Sequence, residues 1–160
     1  MRPTIAMLNG PNLGRLGHRE PERYGTVTLE EVEERCRQVA DRHGVDLFAF
    51  HSNHEGVLID TIEAWAQAGV AGVVVNAGAL THTSIALRDA LAASQIPFIE
   101  VHITNVYARE DFRHISYVSD IAAGIIVGCG VLGYELAVQA LVDRLGPFEG
   151  DDMREAPERS

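Results

Sequence analysis

Lysine is absent. The thirteen residues counted as Lys plus Arg are all arginine, so no side chain can form a Schiff base with a carbonyl substrate and no Walker-type phosphate loop can be completed. Positive charge is also scarce: thirteen cations stand against twenty-three Asp and Glu, a formal charge of −10. A general nucleic-acid partner is therefore not expected, because phosphate affinity depends on clustered Lys and Arg. Any anion the protein binds should be small. No apolar run approaches the ~18 residues of a membrane span, and the start MRPTIAML lacks the h-region and cleavage site of a signal peptide. The expectation is a cytoplasmic chain with no membrane partner. Cysteine is limited to Cys36 and Cys129, both within patterns that look like core elements, and both read as buried, reduced thiols.

What is present is enough for one domain. The chain has 160 residues, of which 46% are hydrophobic, and domains most often run to about 100–150 residues. One domain is expected over residues 1–146. The tail 147–160, PFEGDDMREAPERS, is acidic with two prolines and is expected to be disordered or peripheral.

Short apolar runs alternate with longer stretches of helical period. TIAMLN, VDLFAFHS, GVVVNAG, PFIEVH and GIIVGCG read as buried strands. Thr28 and Glu31 form a capping-box signature, after which Leu29, Val32, Cys36, Val39 and Ala40 share one face until Gly44. Further helices are expected from about Gly56 to Ala68, Thr83 to Ser94 and Leu132 to Leu145, with a short helical turn over AREDFR. Five strand–helix units imply an α/β, flavodoxin-like three-layer sandwich around a five-stranded parallel sheet of order 2-1-3-4-5.

Ligands of open parallel sheets bind beyond the carboxyl ends of the strands. There the sequence places Asn9, Gly10, Pro11 and Asn12, then Ser52, Asn53, His54 and Glu55, then Asn76, Gly78, Thr81 and His82, then Glu100, His102, Thr104 and Asn105. Loops are polar in general, so each residue alone means little; four strand ends rich in Asn, His and hydroxyls mean more. GPNLGRLG has neither the G-x-G-x-x-G nor the Walker spacing and reads equally well as a turn. HSNHE offers His51, His54 and Glu55, but strand alternation separates the two imidazoles and no third spaced ligand follows. No cofactor or metal is expected.

The quoted segments NGPNLGRLGHREPERYG, SNHEG, NAGALTHTSIALRDA, EVHITN and AREDFRHISY, in this order, resemble the type II 3-dehydroquinate dehydratase family over about Thr4 to Leu145. The resemblance implies cofactor-free dehydration of 3-dehydroquinate to 3-dehydroshikimate, in the shikimate or quinate pathway, by a homo-oligomer that is a dodecamer built from trimers. It implies Tyr24 as the base at C2, Arg19 as the loop arginine promoting its ionisation, and His102 as the acid for the C1 hydroxyl, positioned by Glu100. It implies that Asn12 holds a water on the enolate oxygen. Asn76 and the main-chain amides of Ile103 and Thr104 would receive the substrate carboxylate, His82 and Arg113 the ring hydroxyls, and Asp89 would approach a neighbouring subunit's site. Two departures stand out: Thr104 where Ser is common, and Ala79 where many members have Gly.

The chemistry asks for such parts independently, since an enolate route needs a base, oxyanion stabilisation and an acid for the leaving hydroxyl. A free phenol has a pKa near ~10 and is about 0.1% ionised at neutral pH. Nearby cations increase that fraction, and Arg19 and Arg113 are the candidates. Gly14, Gly17 and Gly25 would let the loop that carries Tyr24 close and exclude water. The competing reading is a flavodoxin-like ligand-binding or receiver module, because fold alone does not decide function. A receiver would carry an acidic cluster after the first strand and an aspartate after the third, where this chain has Asn and Gly.

Overall fold

The computed structural model describes residues 2–146; the tail 147–160 lies outside the described residues. Each of the five apolar runs forms a strand: β1 (Thr4–Asn9), β2 (Asp46–His51), β3 (Gly72–Asn76), β4 (Phe98–His102) and β5 (Gly124–Val127). They pair in parallel in the order β2-β1-β3-β4-β5. The helices are α1 (Pro21–Tyr24), α2 (Leu29–Arg42), α3 (Glu55–Ala68), α4 (Ile85–Ser94) and α5 (Leu132–Leu145).

Period-two alternation sends successive residues of β1 to opposite faces of the sheet. Ile5 and Met7 join Val74 and Val101 in a core with Val32 and Val39 of α2 and Ala137 and Leu141 of α5. Ala6 and Leu8 join Val73 and Val75 in a second core, against Leu58 and Ile62 of α3 and Leu87 and Leu91 of α4. Both faces are covered, which is why the central strands read as unbroken apolar runs.

The capping box is made: Thr28 Oγ1 accepts from the Glu31 amide at 3.2 Å. The helix expected from Thr83 begins at Ile85, because Ser84 Oγ accepts from the Leu87 amide at 2.9 Å and caps it. AREDFR contains a single 3-10 turn, Asp111–Arg113.

The expectation of uniformly buried strands fails at the two edges. On β5, Ile125 is 47% exposed, and of β2 only Leu47 is buried, because an outer strand has a neighbour on one side only. Cys129 is likewise exposed rather than buried, since it follows the edge strand, whereas Cys36 is in the core. Among the described residues no helix is long and apolar enough to cross a membrane.

Candidate active site

Parallel pairing brings the carboxyl ends of all strands to one edge, and register places Asn9 opposite both His51 and Asn76. Beyond that edge the loops after β1 and β3 touch backbone to backbone. The Gly10 amide donates to the Asn76 carbonyl at 2.8 Å, and a Cβ on Gly10 would run into the Ala77 carbonyl. Gly78 (φ 58°) lies 2.9 Å from the Pro11 carbonyl at its would-be Cβ. The positive dihedral falls on Gly78 and not on Ala79, so the alanine departure is without strain.

HSNHE braces this loop. Asn53 Oδ1 accepts from the Asn12 amide at 2.9 Å and His51 Nε2 from the Gly14 amide at 3.2 Å. These two bonds hold the segment in which Asn12 adopts a left-handed φ of 71°, a conformation Asn tolerates better than most residues.

One cleft collects Asn12, Arg19, Tyr24, Asn76, His82, His102, Ile103, Thr104, Arg109 and Arg113. Of the expected site residues, Glu100 lies behind it and Asp89 away from it, exposed on α4. Among the described residues no carboxylate lines the cleft, while three arginines do; Glu20 and Glu110 pair with them from outside the lining. A chain of charge −10 thus presents a cationic recess, which concentrates anionic ligands.

Glu100 and His102 are two residues apart on β4 and so share a face. Glu100 is 2% exposed. Its Oε2 takes bonds from His102 Nε2 and from Ser116 Oγ at 3.0 Å, and its Oε1 one from Ser119 Oγ at 2.6 Å. Burial pushes this carboxyl pKa up, but the bonds from His102 and Ser119, the imidazole's charge and the bond from Ser116 outweigh it, and the net direction is down. An ionised carboxylate only accepts, so His102 must carry its proton on Nε2, leaving Nδ1 for proton exchange.

His82 stacks near His102, with ring centroids 6.2 Å apart and planes at 23°. Its Nδ1 bonds the Ile115 carbonyl at 2.8 Å. Burial lowers the His82 pKa, and the adjacent His102 and Arg113 push the same way, against that bond and the Glu100 charge. His82 is thus a neutral imidazole near pH 7, and its Nε2 makes no hydrogen bond among the described residues.

Tyr24 closes α1, a single turn whose first residue is Pro21. Its hydroxyl accepts from Arg109 Nη1 at 3.0 Å, and the guanidinium also lies 5.7 Å from the ring centre. Arg109 Nη1 further donates to Thr104 Oγ1 at 3.3 Å, so the hydroxyl kept by the Thr departure is used. Arg109 Nε is buried and makes no hydrogen bond among the described residues, though Glu110 Oε2 lies 3.8 Å from it as an ion-pair partner. Arg109 stands within AREDFR, and the sequence alone assigns it no role. Of the two arginines it favoured, Arg19 pairs with Glu20 at 3.7 Å and Arg113 with Glu110 at 2.7 Å, and neither bonds Tyr24. Nothing in the spacing of an arginine 85 residues away marks it as the partner.

The dehydroquinase class II family model matches residues 3–142. The chain is 56% identical over 144 residues to the 3-dehydroquinate dehydratase of Halorhodospira halophila, covering 90% of this chain and 97% of that one. It is 56% identical over 137 residues to catabolic 3-dehydroquinase 2 of Aspergillus terreus, covering 86% and 92%. The crystal structure of the type II dehydroquinase from Propionibacterium acnes superposes with a TM-score of 0.85 at 43% identity, over 89% of this chain and 98% of that one. A sheet of this order and a match of this extent have one conclusion: the chain belongs to the dehydroquinase class II family.

Proposed function

We propose that this protein dehydrates 3-dehydroquinate to 3-dehydroshikimate through an enolate, with Tyr24 as base and His102 as acid. The observation that carries the reading is that both groups line one cationic cleft free of carboxylates, each with its own oriented partner. Tyr24 as phenolate takes the proton from C2, and the C2–H electrons form the enolate. Collapse of the enolate breaks the C1–O bond, and the hydroxyl leaves as water with the Nδ1 proton of His102, which enters the step as imidazolium and keeps its Nε2 proton on Glu100; solvent exchange then resets both groups.

Arg109 supports the phenolate with a charge-assisted bond, and Arg19 adds a second cation from the loop that carries Tyr24. Asn12 holds a water against the enolate oxygen, the point where charge develops. Glu100 fixes the tautomer of His102. Asn76 and the amides of Ile103 and Thr104 receive the carboxylate, while His82 and Arg113 take the ring hydroxyls. With no lysine in the sequence, no side chain can form an imine with the substrate ketone.

The working unit is a homo-oligomer, a dodecamer of trimers in which Asp89 serves a neighbour's cleft. Exposed Ile125, Tyr107, Phe112 and Ile115 support such an assembly, since they would leave water on subunit contact. Two free cysteines fit a cytoplasmic setting. The direct test is to add 3-dehydroquinate and follow the ultraviolet absorbance of the conjugated enone. Absence of that signal from folded protein overturns the reading.

A further inference from the structure

Behind the cleft three polar side chains from three elements meet in the fold's interior. Tyr134 of α5 is fully buried, as is Asn9 at the end of β1, and Asn76 at the end of β3 is 4% exposed. Tyr134 accepts from Asn76 Nδ2 at 2.8 Å and donates to Asn9 Oδ1 at 2.8 Å.

The direction of this chain is dictated from one end. The Gly78 amide can only donate, and at 3.2 Å it requires that Asn76 present Oδ1 to it. Nδ2 of Asn76 must then face the Tyr134 hydroxyl, which has to accept. The phenolic proton is left for Asn9, which must offer its own oxygen. As a consequence Asn9 Nδ2 is buried with no partner among the described residues. A buried orphan donor is uncommon and destabilising. Burial pushes the Tyr134 hydroxyl above its ordinary pKa of 10, so it keeps the proton it donates throughout the working range.

We propose that Tyr134 is a positioning residue for ligand recognition: its hydroxyl engages one Nδ2 hydrogen of Asn76 and thereby aims the other at an anionic group in the cleft. Asn76 lines that cleft, and its Nδ2 has no second bond among the described residues. An amide fixed at both ends meets a carboxylate already oriented, whereas a free one loses rotamer freedom on binding. The inference rests on the role of Asn76 toward the substrate carboxylate given above, and adds a residue that never touches the ligand.

The test is a double-mutant cycle on the full chain, read as KM against kcat for 3-dehydroquinate, with thermal melting to confirm folding. Tyr134→Phe keeps the ring and deletes the hydroxyl. It should raise KM about tenfold, the scale of one lost hydrogen bond to a charged group, with kcat within about twofold. In an Asn76→Ala background the same change should leave KM unaltered, because Tyr134 acts through Asn76. If KM is unchanged, if kcat falls instead, or if the two KM effects multiply, Tyr134 is only structural and the proposal is overturned. If Tyr134→Phe does not fold, the cycle is run with Asn9→Ala, which removes the acceptor of the phenolic proton and so the anchor that holds the hydroxyl against Asn76. A KM increase that vanishes in the Asn76→Ala background supports the proposal, and an unchanged KM overturns it. Failure of the functional reading is a separate result: the unmodified protein would then show no turnover.

Discussion

Arg109 and Tyr24, 85 residues apart, meet at 3.0 Å between guanidinium and phenolic oxygen. The pair joins the loop after β1 to the segment after β4, so Tyr24, the proposed base, is held by an element outside the loop that carries it. A charge-assisted donor of this kind stabilises the phenolate more than the phenol.

Removing that donor should reduce turnover. Arg109→Leu is expected to lower kcat by ~10²–10³-fold, the usual effect of losing one preorganised donor to a developing charge. Tyr24→Phe should remove nearly all turnover while ligand binding persists, measured by calorimetry with a competitive inhibitor. Near-normal turnover in Tyr24→Phe would end the assignment of the base.

Glu100 sets a pH dependence whose sign is fixed by the direction of its shift. Its folded pKa lies below the ordinary 4.5, so the unfolded chain binds more protons between the two values. Its stabilising contribution is complete above about pH 5 and is lost as pH falls through the folded value. Ser119→Ala removes the 2.6 Å donor and lets burial push the carboxyl up. Chemical denaturation should show the variant less stable than the parent above pH 5, with this part of the gap closing toward pH 3. In kcat/KM the acidic limb should move to higher pH.

Asp89 is exposed on α4 and does not line its own cleft. If it completes a neighbour's site, dilution or mild denaturant that separates subunits should abolish activity while circular dichroism still reports folded protein. Full activity from a chromatographically monomeric sample would show that each cleft is self-sufficient.

Borohydride added with substrate should trap no covalent adduct. The sequence has no lysine, so no side chain can supply the imine that hydride would reduce. Intact-protein mass spectrometry that shows protein plus reduced ligand would overturn the enolate route.

The amino-acid pattern was enough to specify the strands, their parallel order and the edge at which the site forms. Those features depend on local information: runs such as TIAMLN and GVVVN carry their own periodicity, and parallel crossovers send every strand's carboxyl end to one side. It also determined, through the missing lysine, one chemistry the chain cannot perform. Tertiary structure alone decided the partnerships. Arg109 finds Tyr24 and Tyr134 finds Asn9 across 85 and 125 residues, Ser116 and Ser119 reach back to Glu100, and His51 serves the loop after β1 as an acceptor. Burial at the edges was likewise undecided, since GIIV is equally apolar in a central or an outer strand and only the sheet order exposes Ile125. The physical reason is one of range. Hydrophobic patterning acts over a few residues and tolerates ångström errors, whereas a hydrogen bond needs its two atoms about 3 Å apart and well aligned. That condition is met only after the whole chain has packed.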